Sequence, residues 1–459
     1  MPIAPPAMGN KGTMVTLTGW GRLAPTTATL AEPADPQAAA ELLNGTPGPV
    51  IPRGLGRAYN NAAQSAGGTV LSTARLARIR SLDPGTGIVT AEAGVSLEDL
   101  MVAGLPHGWF VPVSPGTRQV TVGGAIAADV HGKNHHVAGS FARHVLSFDL
   151  LLPSGQSRTY SPTRDSHLFW ATCGGMGLTG LITQATIQLK RVEASRVKVD
   201  TVRTADIGET MAVLAEHDKK YGYTVAWSDS TARGKAVGRS VITSGDFAAL
   251  DDLPGADRGQ PFAFDPRARL GAPDIFPSGL LNRYSITLAN EVWYRKAPRL
   301  REGEIQTIGQ FFHPLDGIRN WNRVYGPKGF RQYQYVLPFG AEDAVRKSFE
   351  MVSAAHAPSF VTVLKRFGAG NAGLLSFPMP GWTLALDFPG GTPGLSQLCD
   401  ALDRLVVDNG GRVYLAKDSR VSPGMLEQMY PRLAEFREIR AELDPDGVFG
   451  SDLSRRLKI

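Results

Sequence analysis

Residues 121–136, TVGGAIAADVHGKNHH, set two adjacent glycines ahead of three histidines and a lysine. Adjacent glycines let a ligand approach backbone N–H groups that a side chain would cover. His131 and His135 stand four apart, the spacing at which two imidazoles on one helical face can hold zinc. Gly132 interrupts such a helix and no third ligand is suitably spaced, so no metal is expected. The segment reads as an active-site loop, with His131 near a ligand and His135 and His136 structural.

RGLGRAYNNAAQ, at 53–64, follows a strand-like run and offers the same chemistry, with Arg53 and Arg57 adding charge. PGTRQVTVGG, at 115–124, repeats it. Two such nests in one unit point to an extended ligand with a diphosphate in its middle, hence a dinucleotide. GMGLTG, at 175–180, matches GxGxxG, but a helix precedes it and a strand follows. That order is the reverse of the one that aims a helix N-terminus at pyrophosphate, so a tight turn against a ligand is expected there, not a Rossmann site. In VYLAKDSR, Lys417 lies between a strand and a loop, either solvated or functional. In RQYQY, alternation puts Gln332 and Gln334 on one strand face, a polar outer face or a hydrogen-bonding wall.

These groups need a scaffold to position them. At 459 residues the chain exceeds the size at which one core stops growing, so two or three folding units are expected. The net charge of +6 is dispersed along the chain, which favours an anionic ligand or surface over nucleic acid. Cys173 and Cys399 have no CxxC partner, so neither disulfide nor zinc spacing is implied. The N-terminal stretch lacks an apolar signal core and no run approaches the roughly 20 apolar residues of a spanning helix. The expectation is a protein neither signal-exported nor integral, cytoplasmic or peripheral to either face of the cytoplasmic membrane.

Periodicity predicts a helix at 36–43, a strand at 48–54 held near an edge by Pro52, strands at 68–73 and 87–94, and a helix at 96–106. A hairpin at 144–162 turning at Ser154 and Gly155, a helix at 165–175 and a half-buried strand at 180–194 complete an α+β unit over 13–192. Beyond it, helices at 207–220 and 342–356 flank strands at 224–230, 330–338, 359–368 and 381–389, a pattern that suits a sheet covered by helices. The segment 251–283, rich in proline, glycine and arginine, is too long for a passive connector and reads as a lid or partner surface. The tail from Ser422 reads as one helix ended by Pro445.

In order, RGLGRAYNNAAQ, PGTRQVTVGGAIAADVHGKNHH, FWATCGGMGLTG, FRQYQYVLP, VLKRFG and YLAKDSR resemble the FAD-dependent oxidases and dehydrogenases of the vanillyl-alcohol oxidase superfamily. More narrowly they are similar to its epimerase flavoproteins that act on decaprenylphosphoryl-β-D-ribose. The similarity runs from about residue 16 to the end, with GGAIAADVHGKNHH and DPDGVFGSDLSRRL its most specific parts. The resemblance implies a two-domain α+β fold: an FAD domain of the PCMH type, split into 13–192 and 412–459, around a substrate domain, 193–411, of antiparallel sheet covered by helices. It implies an FAD site walled by Arg53, Gly54, Leu55, Gly56, Arg57, Ala58 and Tyr59 on one side. Thr117, Arg118, Thr121, Val122, Gly123, Gly124 and Ala128 form the other wall, completed by His131, Ile182 and Tyr414. Tyr59, Asn60 and Asn61 stand where covalent members carry an attaching histidine or cysteine, so the FAD is expected to be non-covalent.

The chemistry so implied is oxidation of a ribose 2'-hydroxyl to a 2'-keto sugar, the first half of epimerisation to the arabinose unit used in cell-wall arabinan. A separate NAD(P)H-dependent short-chain reductase would complete it. Lys417 would hold or deprotonate the hydroxyl, aided by Tyr59, Gln334 and His131, and Lys365 would meet the phosphate. Gly116, Lys133, Trp227, Phe312, Gln332, Phe367, Thr383 and Ala385 would shape the sugar pocket. Phe312, Thr383 and Ala385 replace the tyrosine, asparagine and cysteine common in that family. A lipid-linked substrate implies peripheral contact with a bilayer, assigned to the proline-rich loop and Arg267 and Arg269. The alternatives are another sugar, alditol or aldonolactone oxidoreductase of the superfamily, and a non-catalytic scaffold for an anionic surface.

Overall fold

The computed structural model describes residues 12–46, 48–268 and 270–459. Its α+β architecture is built on three main sheets. The first orders its strands Thr13–Leu17, Thr26–Ala31, Thr69–Ser72 and Val50–Arg53, the last two joined in parallel. Val50–Arg53 is at the edge, where the missing N–H of Pro52 breaks no ladder. The second is wholly antiparallel, in the order Ile79–Leu82, Ile88–Glu92, Leu181–Gln188, Val145–Leu151 and Ser157–Tyr160. The hairpin joining its last two strands turns at Gly155, with φ +78°.

Eight antiparallel strands form the third sheet, from Leu300–Thr307 at one edge to Arg412–Val413 at the other. Three adjacent central strands, Thr362–Phe367, Gly381–Pro389 and Phe330–Pro338, carry the residues of interest. The last two are buried almost throughout on both faces. Helices Glu342–Ala354 and Leu395–Asp408 cover one face: the Tyr335 hydroxyl donates to Ser348 and the Tyr333 hydroxyl to Asp403, each at 2.8 Å. The opposite face, reached by Gln332 and Gln334, turns toward the glycine loops of the first two sheets. Alternation alone left that face open; burial makes it a wall.

The chain's end returns to the first sheet. Val50 N–H donates to Val448 at 2.7 Å and Gly450 N–H donates back to Val50 at 2.9 Å. The expected single tail helix is two, Pro423–Met429 and Leu433–Leu443. Pro431 separates them, since the residue before a proline is pushed out of the helical region and Tyr430 sits at φ −125° and ψ 87°. Most of 251–283 has no regular structure, but it does not hang free. Leu270–Gly271 pairs in parallel with Ile318–Arg319, and Ser195 N–H donates to Pro261 at 2.7 Å. Arg269 lies outside the described residues.

Candidate active site

A cavity of about 870 Å³ lies between the glycine loops and the central strands. Its size is near the upper end for small-molecule sites, as a dinucleotide requires. The two glycine loops hold each other. A Cβ on Gly54 would sit 2.3 Å from Thr121 Oγ1, which itself caps helix Val122–Ala127 by accepting from Gly124 N–H. Gly123 is bare for a related reason, because a Cβ there would lie 2.9 Å from the Ala93 side chain. Gly116 differs: a Cβ there would meet no protein atom within 4 Å, although the residue lines the cavity. The space beside it suits a ligand. GMGLTG forms the expected tight turn, with Met176, Gly177 and Gly180 on the cavity wall and positive φ at all three.

Strand register assembles the far wall. Gln332 is opposite Asp387, Gln334 opposite Ala385, and Ala385 opposite Val363, all on one face with Lys365. Lys417, from the turn after Arg412–Val413, places its Nζ 4.5 Å from the Tyr59 ring centroid. Tyr59 is fixed in turn by its N–H to Ala416 at 3.0 Å and by the Phe330 ring edge at 5.5 Å. The Tyr414 hydroxyl donates to the Ala128 carbonyl at 2.8 Å, which joins the last segment of the chain to the loop before His131.

The hydrogen bonds around His131 fix its protonation. Thr383 donates its hydroxyl hydrogen to the Tyr335 carbonyl at 2.8 Å, so toward Gln334 it only accepts, which places the Gln334 amide nitrogen there at 3.0 Å. That nitrogen also lies 3.1 Å from His131 Nε2, which therefore accepts. Nδ1 then carries the hydrogen, and Lys365 Nζ, at 3.3 Å, receives it as an unprotonated amine. Electrostatics agree. Burial, followed by the charges of Lys417 and Lys133, brings Lys365 down to about 7, and burial followed by Lys365 holds His131 well below its ordinary value. Burial also depresses Lys417 while Asp387 pulls it back up. Asp387 is raised by burial, against the opposing effects of Gln332, whose amide donates to it, and of Lys417.

Of the site residues expected from sequence, the structure brings Gly54 to Tyr59, Gly116 to Arg118, Thr121, Gly123, Gly124, Ala128, His131, Ile182, Gln332, Gln334, Lys365, Ala385, Tyr414 and Lys417 to this one cavity. Seven others are not on its wall. Arg53 spends its guanidinium on the carbonyls of Thr18 and Ala63, and Val122 is a fully buried core residue. Lys133 donates to the Phe311 carbonyl and lies over the Phe311 ring. Phe312 packs in an aromatic cluster with Phe110, Phe247 and Tyr223. Trp227 meets Trp293, while Phe367 and Thr383 stand behind His131 and Gln334. These last three share the sheet face of Lys365, but Phe367 and Thr383 are buried behind their neighbours. His131 and His135 share no helix, since His131 is an extended bridge partner of Ser140 and His135 begins the short helix His135–Ala138.

Asp387, Asp316, Trp20 and Trp321 line the cavity and were not foreseen. Alternation offered a signal for Asp387, which is two residues beyond Ala385 on the same strand face. No sequence pattern marks the others. Asp316 accepts from Arg118 N–H at 2.8 Å, while the Arg118 guanidinium binds Glu98 and the Pro266 carbonyl. Arg118 thus fastens the 266–268 segment, whose three residues line the cavity at its mouth.

Comparison with known proteins agrees with this geometry. The FAD binding domain family matches residues 25–161, which contain both glycine loops, and the D-arabinono-1,4-lactone oxidase family matches residues 390–457. The chain is 46% identical to decaprenylphosphoryl-β-D-ribose oxidase of Mycolicibacterium smegmatis, over 96% of this chain and 97% of that one. It is 42% identical to an uncharacterized protein of Streptomyces coelicolor over 79% of this chain and all of the other. L-gulonolactone oxidase 3 of Arabidopsis thaliana is 22% identical over 84% of this chain and 72% of its own length. The cradle of bare backbone and the near full-length similarity place this chain in the decaprenylphosphoryl-β-D-ribose oxidase family of FAD-dependent oxidoreductases.

Proposed function

We propose that this protein oxidises the 2'-hydroxyl of a decaprenylphosphoryl-type ribose to the 2'-keto sugar, on non-covalently held FAD. The observation that carries the reading is the end of the cavity, where Lys365 and Lys417 flank a neutral His131 and make no ion pair among the described residues. Asp387 lies beside Lys417, whereas the charges that act on Lys365 are those of other lysines, so the substrate phosphate would bind at Lys365 and draw a proton onto its amine. The cradle would be formed by 54–59, 116–124 and Tyr414, with the division into a two-part FAD unit (13–192 and 412–459) and a substrate unit (193–411) following from it. Both ring nitrogens of His131 are engaged by protein, which argues against its attachment to the cofactor.

When bound, FAD supplies the hydride acceptor. Lys417 Nζ takes the hydroxyl proton, because burial keeps a share of its amine unprotonated near neutral pH. Tyr59 fixes the position of that amine through its ring face. Gln334 has both amide hydrogens committed to His131 and Thr383, so its carbonyl oxygen is left to accept from a sugar hydroxyl. Completion of the epimerisation falls to a separate NAD(P)H-dependent reductase. Anaerobic addition of a polyprenylphosphoryl ribose should bleach the flavin, whereas free sugars and aldonolactones should not; the reverse preference would overturn the reading.

The same substrate calls for contact with a bilayer. No described helix is long and apolar enough to cross a membrane. Helix Arg283–Lys296 nonetheless exposes Tyr284, Leu288 and Val292 at four-residue spacing, beside exposed Arg283, Arg295 and Lys296. Leu270 and Ile318 are exposed as well, and Ile318 lines the cavity. An apolar stripe flanked by cations fits an anionic bilayer surface. Co-sedimentation with anionic vesicles should be lost in a Leu288→Asp, Val292→Asp double variant, and unchanged binding would refute this face.

A further inference from the structure

We infer that a second, smaller cavity behind Lys417 is a water-filled exit for the proton that sugar oxidation releases, with Asn61 and Ser419 holding its water. The inference rests on the oxidation proposed above. This cavity, of about 70 Å³, shares Tyr59, Gln332 and Lys417 with the main one and is otherwise walled by residues such as Asn61, Arg331, Ser419 and Arg456. Lys417 therefore has one flank on the sugar side and another on this side. The outer end is at Ala24, which is exposed.

The lining is built for water. At ~30 Å³ per molecule the space takes about two. Asn61 Oδ1, Gln332 Oε1 and Arg456 Nε are buried without a protein partner. Buried polar atoms are ordinarily satisfied, so three unmatched ones around one small cavity point to solvent. Arg331 Nε donates to Ser419 Oγ at 3.1 Å, which leaves the Ser419 hydroxyl hydrogen free to donate to water.

The reaction requires such a route. In oxidising one secondary alcohol, the carbon-bound hydrogen leaves with its electron pair to FAD, the O–H bond breaks, a C=O bond forms, and one proton arrives at Lys417 Nζ. That proton must reach solvent before the next turnover. The main cavity would then be filled by cofactor and sugar, with 266–268 on its wall. The flank facing Asn61 remains.

The test uses the FAD-loaded enzyme and two variants, Asn61→Leu and Ser419→Ala, that remove polar lining without adding a side-chain heavy atom. Each is mixed anaerobically with polyprenylphosphoryl ribose in weak buffer containing a pH-indicator dye. In the unmodified protein the dye signal should accompany flavin bleaching. In the variants bleaching should keep its rate while the dye signal trails it, and added imidazole should restore synchrony. A high-resolution crystal structure should show ordered water from Lys417 Nζ toward Ala24, lost in Asn61→Leu. Dye and flavin signals that stay synchronous in both variants, or a dry cavity in the unmodified protein, would overturn the inference. Failure of the unmodified enzyme to bleach at all would instead count against the proposed oxidation, and the crystallographic water would still decide the path.

Discussion

Replacing Lys365 by Met removes an amine that the fold keeps from being charged, and its effect on stability can be worked out with sign. Folded Lys365 titrates near 7, against an ordinary value of 10.5 in the unfolded chain. Between those values the unfolded state binds one proton more, so this group makes the wild-type protein more stable as pH rises, by ~1.4 kcal/mol per pH unit at the steepest. The penalty is complete below pH 7 and gone above pH 10.5. A shift of that size corresponds to about 5 kcal/mol, but Lys365 is only half-buried and faces the cavity, where water screens it. We therefore expect about 2 kcal/mol across the window. Met retains most of the side-chain volume, and the hydrogen bond lost at His131 adds a cost of about 1–3 kcal/mol. Urea unfolding of both proteins from pH 6 to pH 10, at one fixed excess of FAD, should show wild type gaining on the variant as pH rises. Parallel curves would refute the claim that Lys365 is held neutral by its surroundings.

Asp387 is the group that raises Lys417, so Asp387→Asn should move the acid limb of the kcat profile to lower pH, and an unmoved limb would separate the two residues. Gly54→Ala forces a Cβ against Thr121 Oγ1, and moving that cap should cost about 1–3 kcal/mol and lower the FAD content per protein, read as the ratio of flavin to protein absorbance. Thiol-directed electrophiles should leave no adduct on the cavity strand, because Ala385 carries no nucleophile and burial raises both Cys173 and Cys399 away from thiolate. Mass spectrometry should find one adduct in Ala385→Cys and none in the natural chain.

Much of this was legible in the residues. Hydrophobic periods located nearly every strand and helix near the cavity, and Pro52 marked an edge because a missing N–H acts locally. The one failed tail helix was a local matter too, since Pro431 was in plain sight. Glycine spacing disclosed two nests suited to a diphosphate, and the order of the motifs carried the resemblance to FAD-dependent oxidases. Alternation put Gln332 and Gln334 on one face without saying which face was buried. Trp227, Phe367 and Thr383 lie on the expected sheet face but off the cavity wall, because which side chain reaches the cavity first depends on what packs in front.

What the sequence determined by itself was the α+β fold and the bare backbone of the loops, properties of residue type and near spacing, while Lys417 was singled out only by the resemblance of its motif to a family. Tertiary structure alone decided that Asp387 stands near Lys417, that Thr383 sets the orientation of Gln334 and through it the proton on His131, and that Lys365 is brought down to about 7. Those outcomes depend on desolvation and on hydrogen-bond partners drawn from distant strands. Neither is encoded at any one position, because a buried charge is governed by the full set of groups that replace its water.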